Sequence, residues 1–191
     1  MTRSWRTVDI VVAATIGVAF GVVFWAWNQV WAAATPAFAA APPAQNLIYG
    51  VWLVPAVLGA LVVRKPGAAL FTELVAATVS ALIGSQWGLD TLVSGALQGG
   101  AAELVFLLFG YRRWSAATAV IAGAAAAVGA WIHDMPLYYP ELALTDQLII
   151  GAFMLLSAVV IAGVGSWLLF RSLVATGALA AFPAGRSQTR V

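Results

Sequence analysis

The chain has no cysteine, a single histidine and very little charge: 8% of its 191 residues are Asp, Glu, Lys or Arg. Each shortage closes off a class of function. Without cysteine no disulfide framework or thiolate site can form, and a lone histidine supplies no ligand set for a transition metal. No metal and no other cofactor is expected. A soluble domain carries roughly 25% charged residues, about three times what is present, so this chain cannot clothe a water-facing surface. A phosphate-binding glycine loop, a nucleophile elbow, an HExxH pair and a Ser/His/Asp set at compatible depth are also missing, which leaves no case for an enzyme. No nucleic-acid partner is expected of a chain with only nine Lys and Arg.

What the sequence has in excess is apolar length. Hydrophobic residues make up 63% of it, nine of them Trp, and they fall in six runs at about 8–31, 46–63, 68–84, 91–110, 115–133 and 146–170. Each approaches the ~20 residues a helix needs to cross ~30 Å of hydrocarbon. Runs this long without two-residue alternation are helices, since only helices and closed barrels satisfy their backbone groups in lipid. The fold expected is an all-α integral membrane protein, a bundle of six transmembrane helices in a lipid bilayer. Residues 1–175 form its one domain, and 176–191 form a short tail, loose after Pro183. The first run is too long for the apolar core of a signal peptide.

The cations orient the bundle. Arg3 and Arg6 precede the first run, Arg64-Lys65 separate the second from the third, Arg112-Arg113 the fourth from the fifth, and Arg171, Arg186 and Arg190 follow the sixth. Six crossings put all of them on one face, which the positive-inside rule makes cytoplasmic, together with both termini. The opposite connections hold Asp90, Asp134, Glu141 and Asp146 and no cation.

Within the apolar runs a few residues stand out. Ala13, Gly17 and Gly21 recur every four residues on one helix face, a stripe that lets another helix approach closely. It serves either packing inside the bundle or docking of a separate membrane subunit. Glu73 and Glu103 are carboxylates inside spans. At ~1.5 Å per residue Glu73 lies roughly 12 Å from Lys65, and Glu103 lies roughly 13–14 Å from Arg112, so the two are expected at similar depth. A carboxylate there needs a partner, a wet cavity or a ligand. Gly95 and Gly99 share a face with Glu103, with Thr91, Ser94 and Gln98 beside them. A cavity opening away from the cations and ending in Gln98 and Glu103 would offer an amide and a carboxylate to a small polar ligand. Trp131, His133 and Asp134 sit at the far end of the fifth run. Interfacial aromatics form a belt in most membrane proteins, which is the plainer reading of any one of them.

The stretches "YGVWLVPAVLGALVVRKPGAALFTEL" (49–74) and "LQGGAAELVF" (97–106) resemble the YkoE family, and the likeness runs from the first helix to the sixth. These are S components, the substrate-binding subunits of energy-coupling factor (ECF) vitamin transporters, associated with thiamine and its hydroxymethylpyrimidine precursor. The resemblance implies a six-helix bundle in the cell membrane with a ligand pocket near the outer face. It implies a roof over that pocket made by the first outer loop, residues 32–45, here rich in Ala and Pro. The partners implied are a transmembrane coupling subunit, docked on the Ala13-Gly17-Gly21 stripe, and two ATPase subunits. An aminopyrimidine offers an amine donor beside ring-nitrogen acceptors, and a thiazolium adds a cation suited to Trp faces and acids. Glu103, Gln98, Trp131 and Asp134 are the candidate contacts, with Glu73 and His133 nearby and Tyr49, Trp52, Asn28 and Trp87 at the rim. Two rivals stand beside this reading. One is a stand-alone ion-coupled carrier using Glu73 and Glu103 as proton sites, which the short chain without an internal repeat disfavours. The other is a small lipid-modifying membrane enzyme, for which no nucleophile and base are placed.

Overall fold

A computed structural model describes residues 4–180 of the chain. Helix α1 (Thr7–Ala34) starts where Asp9 accepts the Arg6 amide at 2.9 Å and pairs with the Arg6 guanidinium at 2.7 Å. A carboxylate in the first turn answers both the unpaired N–H groups and the positive end of the helix dipole. Two 3₁₀ segments follow, Thr35–Phe38 and Pro42–Leu53, and the second runs directly into α2 (Val54–Val63). Arg64 (φ 55°) and Gly67 (φ 85°) turn the chain into α3 (Ala68–Leu82). Helices α4 (Asp90–Leu108) and α5 (Ala116–Tyr138) come next, α5 capped by the Ser115 side chain accepting from the Thr118 amide. The last rod is composite: α6 (Leu144–Ser157), a π-helical run Ala158–Gly165, and α7 (Ser166–Ala175).

Six rods therefore occupy the six expected spans. Among the described residues five are long and apolar enough to cross a membrane, and α3, at 15 residues, is the short one. All ten residues of α2 are buried, which makes it the central rod. The others surround it, with α1 beside α3, α3 beside α4 and α4 beside α5. The ends are sorted by charge. The Trp5 indole donates to the Pro66 carbonyl at 2.9 Å, and the Arg64 guanidinium lies 5.8 Å from the Trp114 ring and 5.5 Å from the Phe170 ring. The start of α1, the α2–α3 and α4–α5 turns and α7 thus meet at one cationic end. At the other end lie Asp90 and Asp134, bridged by His133. Arg3, Arg186, Arg190 and the tail expected after Pro183 lie outside the described residues.

The small-residue stripe of α1 is internal, which corrects its reading as a docking face. Ala13, Gly17 and Gly21 are all buried, and the two glycines face α3. A Cβ on Gly17 would lie 2.6 Å from the Val75 Cβ and 2.9 Å from the Thr72 carbonyl oxygen, and one on Gly21 would lie 2.9 Å from the Ala76 carbonyl oxygen. The stripe lets two parallel helices touch backbone to side chain, and α3 covers it. Gly17→Leu is accordingly expected to destabilise the isolated protein itself. Overpacking costs about 1–3 kcal/mol or more, so thermal melting in detergent should show a clearly lowered midpoint.

Candidate functional site

A cavity of about 210 Å³ opens among α1, α3, α4, the end of α5 and the 3₁₀ run before α2. That is far more than the ~10–15 Å³ one water needs. The 3₁₀ run builds one wall by its period. Side chains three residues apart eclipse in such a helix, so Asn46, Tyr49 and Trp52 line up along the cavity. Ser157 holds this wall in place. Its hydroxyl accepts from the Gly50 amide at 2.8 Å and donates to the Leu47 carbonyl at 2.7 Å. Gly50 has to be glycine here, since a Cβ would lie 2.6 Å from the Ser157 carbonyl oxygen.

The walls are aromatic and the polar groups are acceptor-rich. Trp52 packs against three rings, with centroids 5.0 Å away for Trp31, 5.2 Å for Tyr49 and 5.4 Å for Trp87. Its indole donates to Asn28 Oδ1 at 3.1 Å, and Asn28 Nδ2 donates to Ser85 Oγ at 3.2 Å. On the α4 side Gln98 Nε2 donates to Ser94 Oγ at 2.6 Å and to the Tyr49 hydroxyl at 3.2 Å, and Tyr49 donates to Asp134 Oδ2 at 2.7 Å. His133 sits behind this chain of bonds, 2.8 Å from Asp134 Oδ1 and 3.1 Å from Asp90 Oδ1. It fixes both carboxylates and is not itself part of the wall. Tyr138 also donates to Asp90. Just past α5, burial and then the nearby Asp134 charge raise the Tyr139 phenol above its ordinary pKa, so it stays a neutral donor at physiological pH.

Glu73 lies at the floor, fully buried. Its Oε2 accepts from the Ala56 amide at 2.9 Å, near the start of α2, and its Oε1 has no hydrogen-bond partner. Gly99 and Gly95 of α4 make room for it. A Cβ on Gly99 would lie 2.8 Å from the Glu73 Cβ, and one on Gly95 would lie 2.8 Å from the Ala77 Cβ. The wall thus carries Glu73, Asp90 and Asp134 and, among the described residues, no Lys or Arg. Aromatic faces and carboxylates together favour a ligand that brings cationic charge or N–H donors.

Residues 8–129 match the family model described as "ABC-type cobalt transport system, permease component". The "Putative HMP/thiamine permease protein YkoE" of Bacillus subtilis (strain 168) is 32% identical over 185 residues, which cover 96% of this chain and 92% of the relative. A crystal structure of an S-component of an ECF transporter superposes with a TM-score of 0.92 at 31% identity, covering 98% of this chain and 94% of that one. The chain belongs to the YkoE family of ECF S components. It is the substrate-capture subunit of such a transporter, a multi-pass plasma-membrane protein that binds a ligand and works with an ECF module, and it is not an enzyme.

In this YkoE-family chain most of the residues singled out in the sequence converge. Gln98, Asp134, Glu73, Tyr49, Trp52, Asn28 and Trp87 all line the cavity. Three do not: His133 stands just behind the wall, and two others lie elsewhere. Trp131 faces α6, donating to the Gln147 carbonyl at 2.8 Å and covering Gly151. Glu103 lies at the cationic end, where Oε1 accepts from the Gly67 amide at 2.6 Å and the Tyr111 hydroxyl at 2.7 Å, and Oε2 from the Ala69 amide at 2.9 Å. The two glutamates are not level, because the α3–α4 register opposes Glu73 to Gly99 and sets Glu103 one turn further toward Gly67. Trp31, Ser80, Ser85 and Asn46 also line the cavity, and sequence reasoning misses them. Trp31 has a signal, standing three residues after Asn28 on the same face of α1, and Ser80 stands seven after Glu73 on α3.

Glu103 is thus a cap for α3 and a clasp on the α4–α5 turn. Hydrogen bonds to a charged group contribute about 1.5–3 kcal/mol each, and an amide in its place would set an N–H against a backbone N–H. Glu103→Gln is therefore expected to lower the melting temperature while the folded protein keeps its ligand affinity. Calorimetric titration beside a thermal melt separates the two effects.

Proposed function

We propose that this chain captures thiamine or its hydroxymethylpyrimidine precursor from outside the cell and passes it to a module of one transmembrane coupling subunit and two ATPase subunits. The observation that carries the reading is the cavity itself: indole and phenol rings around a buried carboxylate that has one oxygen unsatisfied. An aminopyrimidine brings an exocyclic amine to such an oxygen. A thiazolium brings a fixed positive charge to Trp faces and to the aspartates at the rim. The name of the B. subtilis relative points to the same ligands. The positive-inside rule puts the cationic end in the cytoplasm, so that the cavity opens outward, and residues 32–45 join its lining residues Trp31 and Asn46. Those residues support a roof, since Gln45 Nε2 donates to the Trp31 carbonyl at 2.8 Å and to Thr35 Oγ1 at 3.0 Å.

Binding by itself cannot accumulate a ligand, because it shifts populations only by differential affinity. The purified chain in sealed liposomes, given labelled thiamine outside, is expected to show saturable binding without accumulation, with or without an imposed proton gradient. Adding the coupling module and ATP should start uptake. Accumulation by the chain alone would replace this reading with the ion-coupled carrier, and absence of binding to either ligand would remove thiamine and its precursor as substrates.

A further inference from the structure

Among the described residues two buried side-chain polar atoms have no hydrogen-bond partner: Glu73 Oε1 and Ser80 Oγ. Both residues line the cavity. Both belong to α3, and with Ala77 between them they stand at i, i+4 and i+7 on one helical face. Native proteins leave few buried polar groups unpaired, and each such group calls for a partner from outside the chain or a stated role. Each unsatisfied atom thus belongs to a residue that lines the same cavity, on the same face of α3.

We propose that Glu73 and Ser80 form a two-point reader for an elongated, two-ended ligand, Glu73 taking an N–H donor at the floor and Ser80 a hydroxyl or other hydrogen-bonding group nearer the mouth. Seven residues at ~1.5 Å each set the two points roughly 10 Å apart along the helix. Ala77 presents only a methyl group between them, at the height where Gly95 brings α4 close. Between the two points α3 itself offers the ligand no hydrogen-bonding group. The Glu73 carboxylate is committed on one side only. Its Oε2 is taken by the Ala56 amide, so Oε1 alone is left to offer a ligand. Ser80 is versatile, since a hydroxyl donates or accepts.

This inference rests on the proposed ligand class and narrows it. The amine and hydroxymethyl groups of the free pyrimidine precursor lie on adjacent ring atoms and cannot span the two points. Thiamine carries its amine on one ring and its hydroxyethyl group on the other, and it can. The test is calorimetric titration of the full chain in lipid nanodiscs with thiamine and, separately, with the hydroxymethylpyrimidine. Ser80→Ala should weaken thiamine about five- to tenfold, the loss of one hydrogen bond, and leave the pyrimidine unchanged. The melting temperature of the empty variant should be equal to or above that of the wild type, because an unpaired buried hydroxyl has been removed. Glu73→Gln should weaken both ligands at least tenfold. Its carbonyl can still accept from Ala56, so the fold is retained, while its N–H group meets the ligand's donor.

If the wild type binds thiamine and Ser80→Ala leaves that affinity intact, or weakens both ligands alike, the two-point reader is overturned and the proposed function stands. An unchanged pyrimidine affinity in folded Glu73→Gln overturns it as well. If the wild type binds neither compound, the proposed function falls and this inference falls with it.

Discussion

The Ala56 amide lies at the start of an α-helix in the middle of a membrane protein, and much of the rest follows from that. The first turns of a helix leave N–H groups unpaired, and in the interior of a bundle no water reaches them. Most helices here begin near an end of the bundle. Helix α2 begins about halfway, because the 3₁₀ run Pro42–Leu53 occupies the first half of its rod. An acceptor has to come from a neighbour, and Glu73 of α3 supplies it. A carboxylate has more acceptor capacity than one amide uses. The cavity is where the remainder is exposed, so the same group that permits the change from 3₁₀ to α also gives the site its floor.

Glu103 answers the same need one turn nearer the cationic end. It takes the Gly67 and Ala69 amides at the start of α3 and adds the Tyr111 hydroxyl. Three polar partners engage both of its oxygens, and it stands outside the cavity wall. The two glutamates are alike in sequence setting, each within an apolar span and near small residues. What separates them is whether the neighbouring backbone satisfies both oxygens.

The spans, the sorting of charge between the ends and most of the cavity wall were legible in the sequence, because apolar length and cation position are first-order consequences of a lipid surround. Tyr49, Trp52, Asn28, Trp87, Gln98, Asp134 and Glu73 are readable as polar or amphipathic groups on otherwise apolar helices. The misreadings share one cause. Periodicity tells which residues share a face but not what that face meets. The Ala13-Gly17-Gly21 stripe is recognisable as a close-contact surface, yet only the fold shows that Val75 and Val79 occupy it. Counting residues from the flanking cations puts Glu73 and Glu103 level, whereas the α3–α4 register is set by Gly95 against Ala77 and Gly99 against Glu73. The 3₁₀ run has no signature in hydropathy, since its three-residue period differs little from 3.6 over so short a length. Its content shows only in the spacing of Asn46, Tyr49 and Trp52.

The resistance of this bundle to rearrangement is uneven, and the pattern bears on how a capture subunit holds its ligand. Helices α1 and α3 meet through glycines with no free volume, α3 is clasped to α4 by Gly95, Gly99 and Glu103, and α2 is buried along its whole length. Interiors packed at that density change in discrete steps and at high cost. The opposite wall is held differently. The 3₁₀ run relies on i→i+3 bonds of poorer geometry, on the Ser157 hydroxyl and the Trp27 indole reaching its backbone, on the bonds of Tyr49 to Asp134 and Trp52 to Asn28, and on ring contacts among Trp31, Tyr49 and Trp52. Above it, residues 32–45 are tied mainly through Gln45. The proposed reader, Glu73 and Ser80, thus stands on the rigid side, and the cavity rings Trp31, Tyr49 and Trp52 stand on the more compliant side. Selectivity needs the first, because a hydrogen-bonding position that drifts cannot discriminate; entry and release need the second. The chain divides these demands between α3 and the segment preceding α2, and Glu73 is the residue that joins the two, through its own helix and through the Ala56 amide.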